Sequence, residues 1–301
     1  MFNPSPLRYP GGKSKFYPFV RRILQMNGLL NSIYIEPFAG GAGLALRLLF
    51  SGDVRKIVIN DLDPHIYAFW HSVLEQNEAL CDLVAKTPVT MEQWAIQKNI
   101  YNCNDKNNFL KLGFATFFLN RTNVSGVLTA GVIGGKKQAG KYKIDARYNK
   151  EQLIQKIKKI VTYKENILLF NDDCIDLFSR SEIRSLKRIF INFDPPYVAK
   201  GSQLYKNSFC KKDHEILADM ILRCPRKWIV TYDANPLIEK IYSTCRIGFW
   251  DVTYATSLKR NIQEYIIFKN GLKIPDNISI LDPSYPNKRL EKRKNVEPTY
   301  P

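Results

Sequence analysis

The sequence predicts an α/β protein, with a mainly parallel β-sheet flanked by helices on both faces and interrupted by an inserted, mainly helical domain. Short apolar segments alternate with helical segments near the start of the chain and again after residue 160. Strands that alternate with helices form parallel sheets through right-handed crossovers. A glycine-rich turn lies between the first strand and the first helix of this pattern, and the alternation is lost in the middle of the chain.

The first two strand-helix units lie between residues 32 and 74. Residues 32–35 form a short β-branched segment, and they lead through the glycine-rich turn at 36–43 into an apolar helical segment at 44–50. A second buried strand at 56–61 ends in an acidic residue, and a helix is predicted to follow it from Pro64 to Leu74.

Residues 71–145 are predicted to form the inserted domain, because aromatic residues lie here among polar ones without strand-helix alternation. A glycine-rich loop near its end carries Lys136, Lys137 and Lys141. Flexible backbone with three lysines is typical of a hairpin tip that contacts DNA, and a solvated surface loop is the alternative.

The alternating pattern resumes in the second half of the chain. Strands are predicted at 167–170, 189–193, 228–232 and 264–268, after an amphipathic helix at 153–161. The predicted catalytic domain therefore consists of residues 1–70 and 146–270. Residues 271–301 are rich in proline and charge, which predicts a basic, flexible C-terminal tail.

Composition favours a nucleic-acid partner and argues against a membrane. The chain has 301 residues and a net charge of +17, with 45 Lys and Arg against 28 Asp and Glu, which favours a polyanionic partner. No apolar run approaches the roughly 20 residues of a spanning helix.

The N-terminus has no apolar signal region, and the six cysteines show no Cys-x-x-Cys spacing, so we expect a cytoplasmic protein with reduced thiols and no metal site. No obligate protein partner is evident.

The glycine-rich turn favours S-adenosylmethionine over a dinucleotide as the bound cofactor. The dinucleotide motif G-x-G-x-x-G would need glycine at Leu46, after Gly41 and Gly43. Glu36 precedes the turn, and its carboxylate suits an ammonium group and ribose hydroxyls better than a pyrophosphate. A Rossmann-like sheet of the S-adenosylmethionine-dependent methyltransferase type is therefore predicted.

Two acidic residues follow the second strand. Asp61 lies where an acid accepts hydrogen bonds from ribose hydroxyls, at the carboxyl edge of an open sheet, and a helix N-cap is an equally good interpretation. Asp63 precedes Pro64 and resembles an N-cap with proline at the first helical position.

The most informative motif is Asp194-Pro195-Pro196-Tyr197, directly after an apolar strand. The amino group of adenine is a poor nucleophile, because its lone pair is delocalised into the ring. The Asp194 carboxylate and the Pro195 carbonyl supply two acceptors for its hydrogens, which raises the electron density on nitrogen. Tyr197 offers a ring on which an extruded base stacks. The alternative is a rigid Pro-Pro turn with a capping aspartate.

Taken in order, these motifs resemble the Dam-type (alpha-class) family of DNA adenine-N6 methyltransferases over about residues 6–270. The resemblance implies that the motif at residues 6–15 contributes Tyr9 and Lys13 to the cofactor site. It also implies cofactor roles for the acids Asp61, Asp173 and Asp194 and for the turn residues Glu36, Pro37, Phe38, Ala39, Gly40 and Gly41. Ala42 departs from the family pattern, in which a second glycine often stands here.

The same resemblance implies a DNA-reading region bracketed by residues 120–122 and 145–149, with DNA-binding roles for Asn120, Arg121, Thr122 and Asn123. The implied activity is site-specific methylation of a flipped adenine in double-stranded DNA, and a cognate restriction endonuclease is a candidate partner. The rival interpretations are an RNA adenine or protein-glutamine methyltransferase and a catalytically silent nucleic-acid-binding relative. The size and position of the insert favour DNA, and the intact Asp194 and Tyr197 argue against a silent protein.

Overall fold

The computed structural model describes residues 3–8, 13–198, 209–253, 261–276, 278–281 and 289–290. The chain forms two compact units. Unit 1 comprises Met1–Tyr17 and Asn31–Arg188, and unit 2 comprises Pro18–Leu30 and Ile189–Pro301.

The strands, in chain order, are β1 (Ser32–Glu36), β2 (Val54–Asn60), β3 (Ile167–Phe170), β4 (Ile189–Phe193), β5 (Lys227–Asp233), β6 (Arg246–Thr253), β7 (Asn261–Phe268), β8 (Ser279–Leu281) and β9 (Arg289–Leu290). The helices of the described residues are α1 (Tyr17–Met26), α2 (Gly43–Phe50), α3 (Pro64–Glu75), α4 (Asn77–Lys86), α5 (Met91–Cys103), α6 (Phe109–Thr122), α7 (Lys150–Val161), α8 (Cys174–Leu177), α9 (Ser181–Arg184), α10 (Lys211–Arg223) and α11 (Pro236–Ile241). Short 3-10 helices cover Lys13–Phe16, Val124–Gly126 and Lys164–Asn166.

Unit 1 contains a parallel sheet with β2 between β1 and β3. All five residues of β1 and the last four of β2 are buried, which explains why these segments read as continuous apolar runs. Glu36 pairs with Ile59, and Asn60 pairs with Phe170. The carboxyl ends of the three strands therefore lie at one edge of this sheet.

Helices α4, α5 and α6 lie within the predicted insert, and α6 packs closely on α3. A Cβ atom added to Gly113 of α6 would lie 2.5 Å from the carbonyl oxygen of Ala68 and 2.6 Å from Oγ of Ser72. Residues 71–145 belong to the same compact unit as β1 and β2, so the boundaries of a separate recognition domain stay a prediction.

Unit 2 begins its sheet with the parallel pair β4 and β5, as predicted, and then departs from the expected pattern. β7 runs antiparallel to β5, and it also pairs antiparallel with β6, a strand that the sequence did not reveal. The connection from β6 to β7 spans only residues 254–260, too few for the dozen or more residues that a parallel crossover requires. The parallel pattern that the sequence predicts therefore does not extend to β6 and β7, and the α/β class is confirmed.

The structure also differs from the predicted flexible tail after residue 270. Ser279–Leu281 form β8, which pairs antiparallel with β6. Ile278 is buried against Gly248, whose missing side chain leaves room for it. The high charge of the surrounding residues conceals this short apolar segment in the sequence. Of the predicted tail, residues 277, 282–288 and 291–301 lie outside the described residues.

The remaining predicted strands and helices match the structure within a few residues at each end. In the described part of the chain, no helix has both the length and the apolar character needed to cross a membrane.

Candidate active site

In unit 1, the glycine-rich turn after β1 is held by hydrogen bonds to neighbouring elements. Glu36 ends β1, is 6% exposed, and its Oε1 accepts a 3.1 Å hydrogen bond from the hydroxyl of Tyr34. The amide of Ala39 donates to the carbonyl of Asn60 at 2.9 Å. Nε1 of Trp70 donates to the carbonyl of Gly40 at 2.9 Å. The turn is therefore a preformed part of unit 1.

Two residues of this turn have left-handed backbone conformations. Gly40 and Ala42 both have φ of 45°, a region that glycine enters without steric cost and that other residues rarely adopt. Ala42 is the position at which the sequence departs from the family's glycine, and its backbone still takes the shape that glycine favours. This departure therefore leaves the course of the turn intact.

Asp61 follows β2 and faces the glycine-rich turn. Its Oδ2 accepts the Gly40 amide at 2.8 Å, and its Oδ1 accepts the Asp63 amide at 3.0 Å. Burial raises the pKa of Asp61 to about 7, although these two N–H groups act in the opposite direction. The N-cap of α3 is Asp63, which accepts the His65 amide at 2.9 Å. That assignment confirms the prediction for Asp63, and the cofactor role of Asp61 stays a prediction.

The last residue of β2, Asn60, joins the ends of all three strands of unit 1. It is 1% exposed, and its Nδ2 donates to the carbonyl of Pro37 at 2.9 Å and to that of Asp172 at 3.0 Å. Its Oδ1 accepts the Asp172 amide at 2.9 Å. Sequence reasoning missed Asn60. An amide at the end of an apolar strand, beside the predicted acid, was the available signal.

The structure separates the roles of the adjacent acids Asp172 and Asp173. Asp172 forms a two-bond ion pair with Arg180, in which Nη2 donates to Oδ1 at 2.8 Å. Asp173 is exposed, and its Oδ1 accepts the Ile175 amide at 2.8 Å at the start of α8. Asp173, predicted to contact the cofactor, thus lies just past β3 at the sheet edge that also carries Asp61.

In unit 2, the register between two parallel strands brings Thr231 beside Asp194. Phe193, the last residue of β4, pairs with Val230 of β5. The residues that follow these two, Asp194 and Thr231, therefore lie side by side. The hydroxyl of Thr231 donates to Oδ1 of Asp194 at 2.6 Å. This short bond to a charged acceptor orients the carboxylate, and one lone pair of Oδ1 is used by it.

The end of β5 also supports the rest of the tetrapeptide. The ring of Tyr197 lies 6.4 Å from the buried ring of Tyr232, whose hydroxyl is 3.0 Å from Nδ1 of His214. Burial lowers the pKa of His214, which favours a neutral imidazole. Oδ1 of Asp233 accepts the Val198 amide at 3.0 Å. Thr231, Tyr232 and Asp233 were not predicted as site residues. The feature of the sequence that could have identified them is a group of polar residues at the end of a predicted strand.

Three residues predicted to bind DNA have buried side chains in unit 1. Asn120 is 1% exposed, and its side chain bonds to the backbone of Arg8. Its Oδ1 accepts from the Arg8 N–H at 2.7 Å, and its Nδ2 donates to the Arg8 carbonyl at 2.8 Å. Thr122 and Asn123 have no exposed surface. Backbone carbonyls accept from the Thr122 hydroxyl and from Nδ2 of Asn123, and Oδ1 of Asn123 accepts from Nε1 of Trp94. Direct DNA contact by these side chains is therefore a prediction that the structure corrects, because their polar atoms already have partners within unit 1.

Arg121 is less buried than these neighbours, and it donates to the carbonyl of Arg147 through Nε at 2.7 Å.

Lys136, Lys137 and Lys141 are exposed on the predicted loop. Gln138 stabilises this loop through three hydrogen bonds of 2.8 Å. Its Nε2 donates to the carbonyls of Ile133 and Gly135, and its Oε1 accepts from the Ile144 amide. DNA contact by these three lysines stays a prediction. Lys13 begins a 3-10 helix, and Tyr9 lies outside the described residues.

The fold and these two groups of residues match a class of enzymes that transfer methyl groups. Residues 9–256 match the family described as D12 class N6 adenine-specific DNA methyltransferases. The chain belongs to this family, because the match covers most of its length. The predicted Rossmann-like methyltransferase fold and the predicted family are thereby confirmed, and so is the coarse activity, adenine methylation.

Two solved structures are similar to this chain at low scores. One is a "conserved hypothetical protein" of Streptococcus pyogenes, 12% identical, covering 84% of this chain and 96% of that one, with a TM-score of 0.32. The other is the rRNA methyltransferase aviRa from Streptomyces viridochromogenes, 11% identical, covering 83% of each chain, with a TM-score of 0.30. No curated protein matches this chain.

Proposed function

We propose that this protein transfers the methyl group of S-adenosylmethionine to the exocyclic N6 amino group of an adenine flipped out of duplex DNA, at a specific sequence. The observation that carries the proposal is the carboxylate of Asp194, held by the Thr231 hydroxyl at 2.6 Å at the end of an apolar strand. The family match, which is specific for DNA adenine, supports it.

The residues of unit 1 fit the cofactor. The glycine-rich turn carries no side chain at Gly40 or Gly41, so a ligand can approach its backbone closely. Glu36 and Asp61 place two carboxyl groups beside this turn, which suits ribose hydroxyls and an ammonium group and disfavours a pyrophosphate. Asp173 provides a further acceptor at the same sheet edge. When bound, the cofactor supplies an electrophilic methyl group on a sulfonium.

The residues of unit 2 prepare the nucleophile. Oxygen atoms of Asp194 and the carbonyl of Pro195 accept the two amino hydrogens of adenine, so electron density on N6 increases. Pro195 and Pro196 restrict the backbone here, which keeps these acceptors in place without reorganisation during the reaction. Tyr197 supports the base by stacking, and the buried Tyr232 limits the movement of the Tyr197 ring.

The transfer balances simply. A bond forms between N6 and the methyl carbon as the bond between that carbon and sulfur breaks, and the bonding electron pair stays on sulfur. The attacking nitrogen then carries a positive charge and one proton more than the product. The Asp194 carboxylate, already bonded to that amino group, accepts this proton and passes it to solvent. The chain offers orientation and charge stabilisation and does not need a covalent intermediate.

The decisive experiment supplies methyl-labelled S-adenosylmethionine with unmethylated duplex DNA or with RNA, followed by mass spectrometry of the nucleosides. N6-methyladenine in DNA is the expected product, and sequencing of the modified positions then identifies the recognition site. Label confined to RNA would show that RNA is the substrate and would contradict the proposed DNA substrate. Label in neither polymer would contradict the proposal as a whole.

Asp194→Ala tests the mechanism. We expect turnover to fall by on the order of a thousandfold, because one of two preorganised acceptors is lost, while cofactor affinity measured by calorimetry stays nearly the same. Asp219→Ala removes an exposed carboxylate of α10 that pairs with Arg223 and serves as the matched control. Wild-type turnover in Asp194→Ala would refute the assigned role.

A further inference from the structure

Four cationic side chains of unit 1, Arg8, Arg121, Arg147 and Lys156, form what we call the basic cluster. Backbone carbonyls position three of these side chains, and the carbonyl of Arg147 is one of those acceptors. Nη1 of Arg8 donates to the carbonyl of Asn123 at 3.1 Å, and Nζ of Lys156 donates to that of Ser5 at 3.2 Å. Arg121 donates to the carbonyls of Arg147 and Pro6.

Within the described part of the chain, the basic cluster has no carboxylate partner. Across the described residues, none of its four side chains forms an ion pair with a carboxylate. Burial, and the positive charges of Arg8 and Arg147, lower the pKa of Arg121 to about 10. Burial and Arg147 lower the pKa of Arg8, and burial and Arg121 lower that of Lys156. Partly buried like charges destabilise one another, so an anion at this place would relieve a cost that the fold otherwise carries.

We propose that the basic cluster binds a backbone phosphate of the duplex DNA substrate. This inference rests on the proposed function and names how the polymer is held. Arginine side chains present planar forks of donors that match phosphate oxygens, and the carbonyl bonds leave further N–H donors on each guanidinium. A phosphodiester brings a negative charge to these four cations, for which the described residues provide no carboxylate partner.

The surroundings of Arg147 favour a polymer over a small ion. Arg147 is exposed, and its guanidinium lies 5.8 Å from the centre of the Tyr142 ring, which is 57% exposed. Nζ of Lys141 lies 5.9 Å from the same ring. The basic cluster is thus continued by the lysine-bearing loop, as expected for a surface that follows successive phosphates along a strand.

The test uses Arg147→Gln and Lys156→Gln, singly and together. Lys156 also donates to the Ser5 carbonyl, so thermal denaturation of each variant checks that the fold is intact before binding is compared. The matched control is Lys158→Gln, which removes the same charge from the same helix, α7, on an exposed side away from the cluster. Binding to duplex DNA is measured between 50 and 200 mM salt, because this range shows the release of counterions. The cofactor is left out, so the measured affinity does not depend on methyl transfer.

We expect each variant to weaken binding about fivefold to tenfold near 0.1 M salt, and to reduce the slope of log Kd against log salt by about 0.9 per lost contact. Lys158→Gln should change both quantities much less. Equal effects of Lys156→Gln and Lys158→Gln would overturn the inference, since bulk charge would then explain them.

A second arm separates polymer from free anion. Thermal stability is measured with inorganic phosphate against chloride at equal ionic strength. If phosphate stabilises the wild type and not the double variant while the DNA slopes stay unchanged, the cluster is a free-phosphate site and the DNA assignment fails. Should the wild type bind DNA with the expected slopes but methylate nothing, the proposed function fails and the phosphate contact stands.

Discussion

At the scale of single residues, the raised pKa of Asp61 makes a pH dependence testable. Its pKa of about 7 lies well above the ordinary 3.8, so the folded protein holds a proton there, between roughly pH 4 and 7, that the unfolded chain has released. The contribution of this group to stability therefore decreases as the pH rises through that window. Binding of ribose hydroxyls acts in the opposite direction, because a carboxylate accepts them better than a carboxylic acid does.

We therefore expect cofactor affinity to rise with pH between 6 and 8, settings that bracket the Asp61 pKa, approaching tenfold per unit below 7. Calorimetry in buffers of different ionisation enthalpy should show proton release on binding at pH 6.5. Asp61→Asn, which cannot titrate, is the control for other titrating groups, including any on the ligand. An affinity that is flat over this range, or equally steep in Asp61→Asn, would contradict the assignment.

Thr231 acts at the same scale through its bond to Asp194. Thr231→Val keeps the shape and removes the hydroxyl, so the carboxylate loses the 2.6 Å bond that orients it. We expect kcat to fall about tenfold, in line with the value of a hydrogen bond to a charged group, with KM for DNA and cofactor affinity little changed. Thr231→Ser should restore most of the rate. A positioning role is excluded if valine and serine behave alike.

At the scale of elements, the contact between α3 and α6 depends on Gly113. Gly113→Ala would place its Cβ 2.5 Å from the Ala68 carbonyl oxygen, so the two helices must separate. We expect a loss of about 2 kcal/mol in the free energy of unfolding, typical of overpacking, measured by chemical denaturation. Gly131→Ala, where the added Cβ meets nothing within 4 Å, should be close to neutral. Equal stability of the two variants would show that the helices adjust freely.

The elements of the sheet differ in how far they could be predicted. β1, β2 and β4 are buried along their whole or nearly whole length, so each reads as an apolar run in the sequence. β6 begins with Arg246 and contains Gly248 and Asp251, and neither an apolar run nor strict alternation marks it. Its strand character comes from pairing with β7 and β8, and such pairing is a tertiary property.

At the scale of the whole molecule, the net charge of +17 predicts attraction to a polyanion and says nothing about which cations meet it. The motif-based choice of Asn120, Thr122 and Asn123 identified the segment of unit 1 that also carries Arg121. Packing turns those side chains inward and leaves Arg121 beside Arg8, Arg147 and Lys156. Residues far apart in sequence share this surface because α6, α7 and the N-terminal segment meet there through backbone carbonyls.

The sequence by itself determined the class of protein, the family and the two motifs of the candidate site. Glycine-rich turns, strand-ending acids and Asp194-Pro195-Pro196-Tyr197 are local patterns whose chemistry can be interpreted without coordinates. Only the tertiary structure decided the partners of those motifs: Thr231 for Asp194, and Asn60 for the turn and Asp172. Strand register and side-chain burial decide such pairings, and both depend on contacts between segments that are distant along the chain.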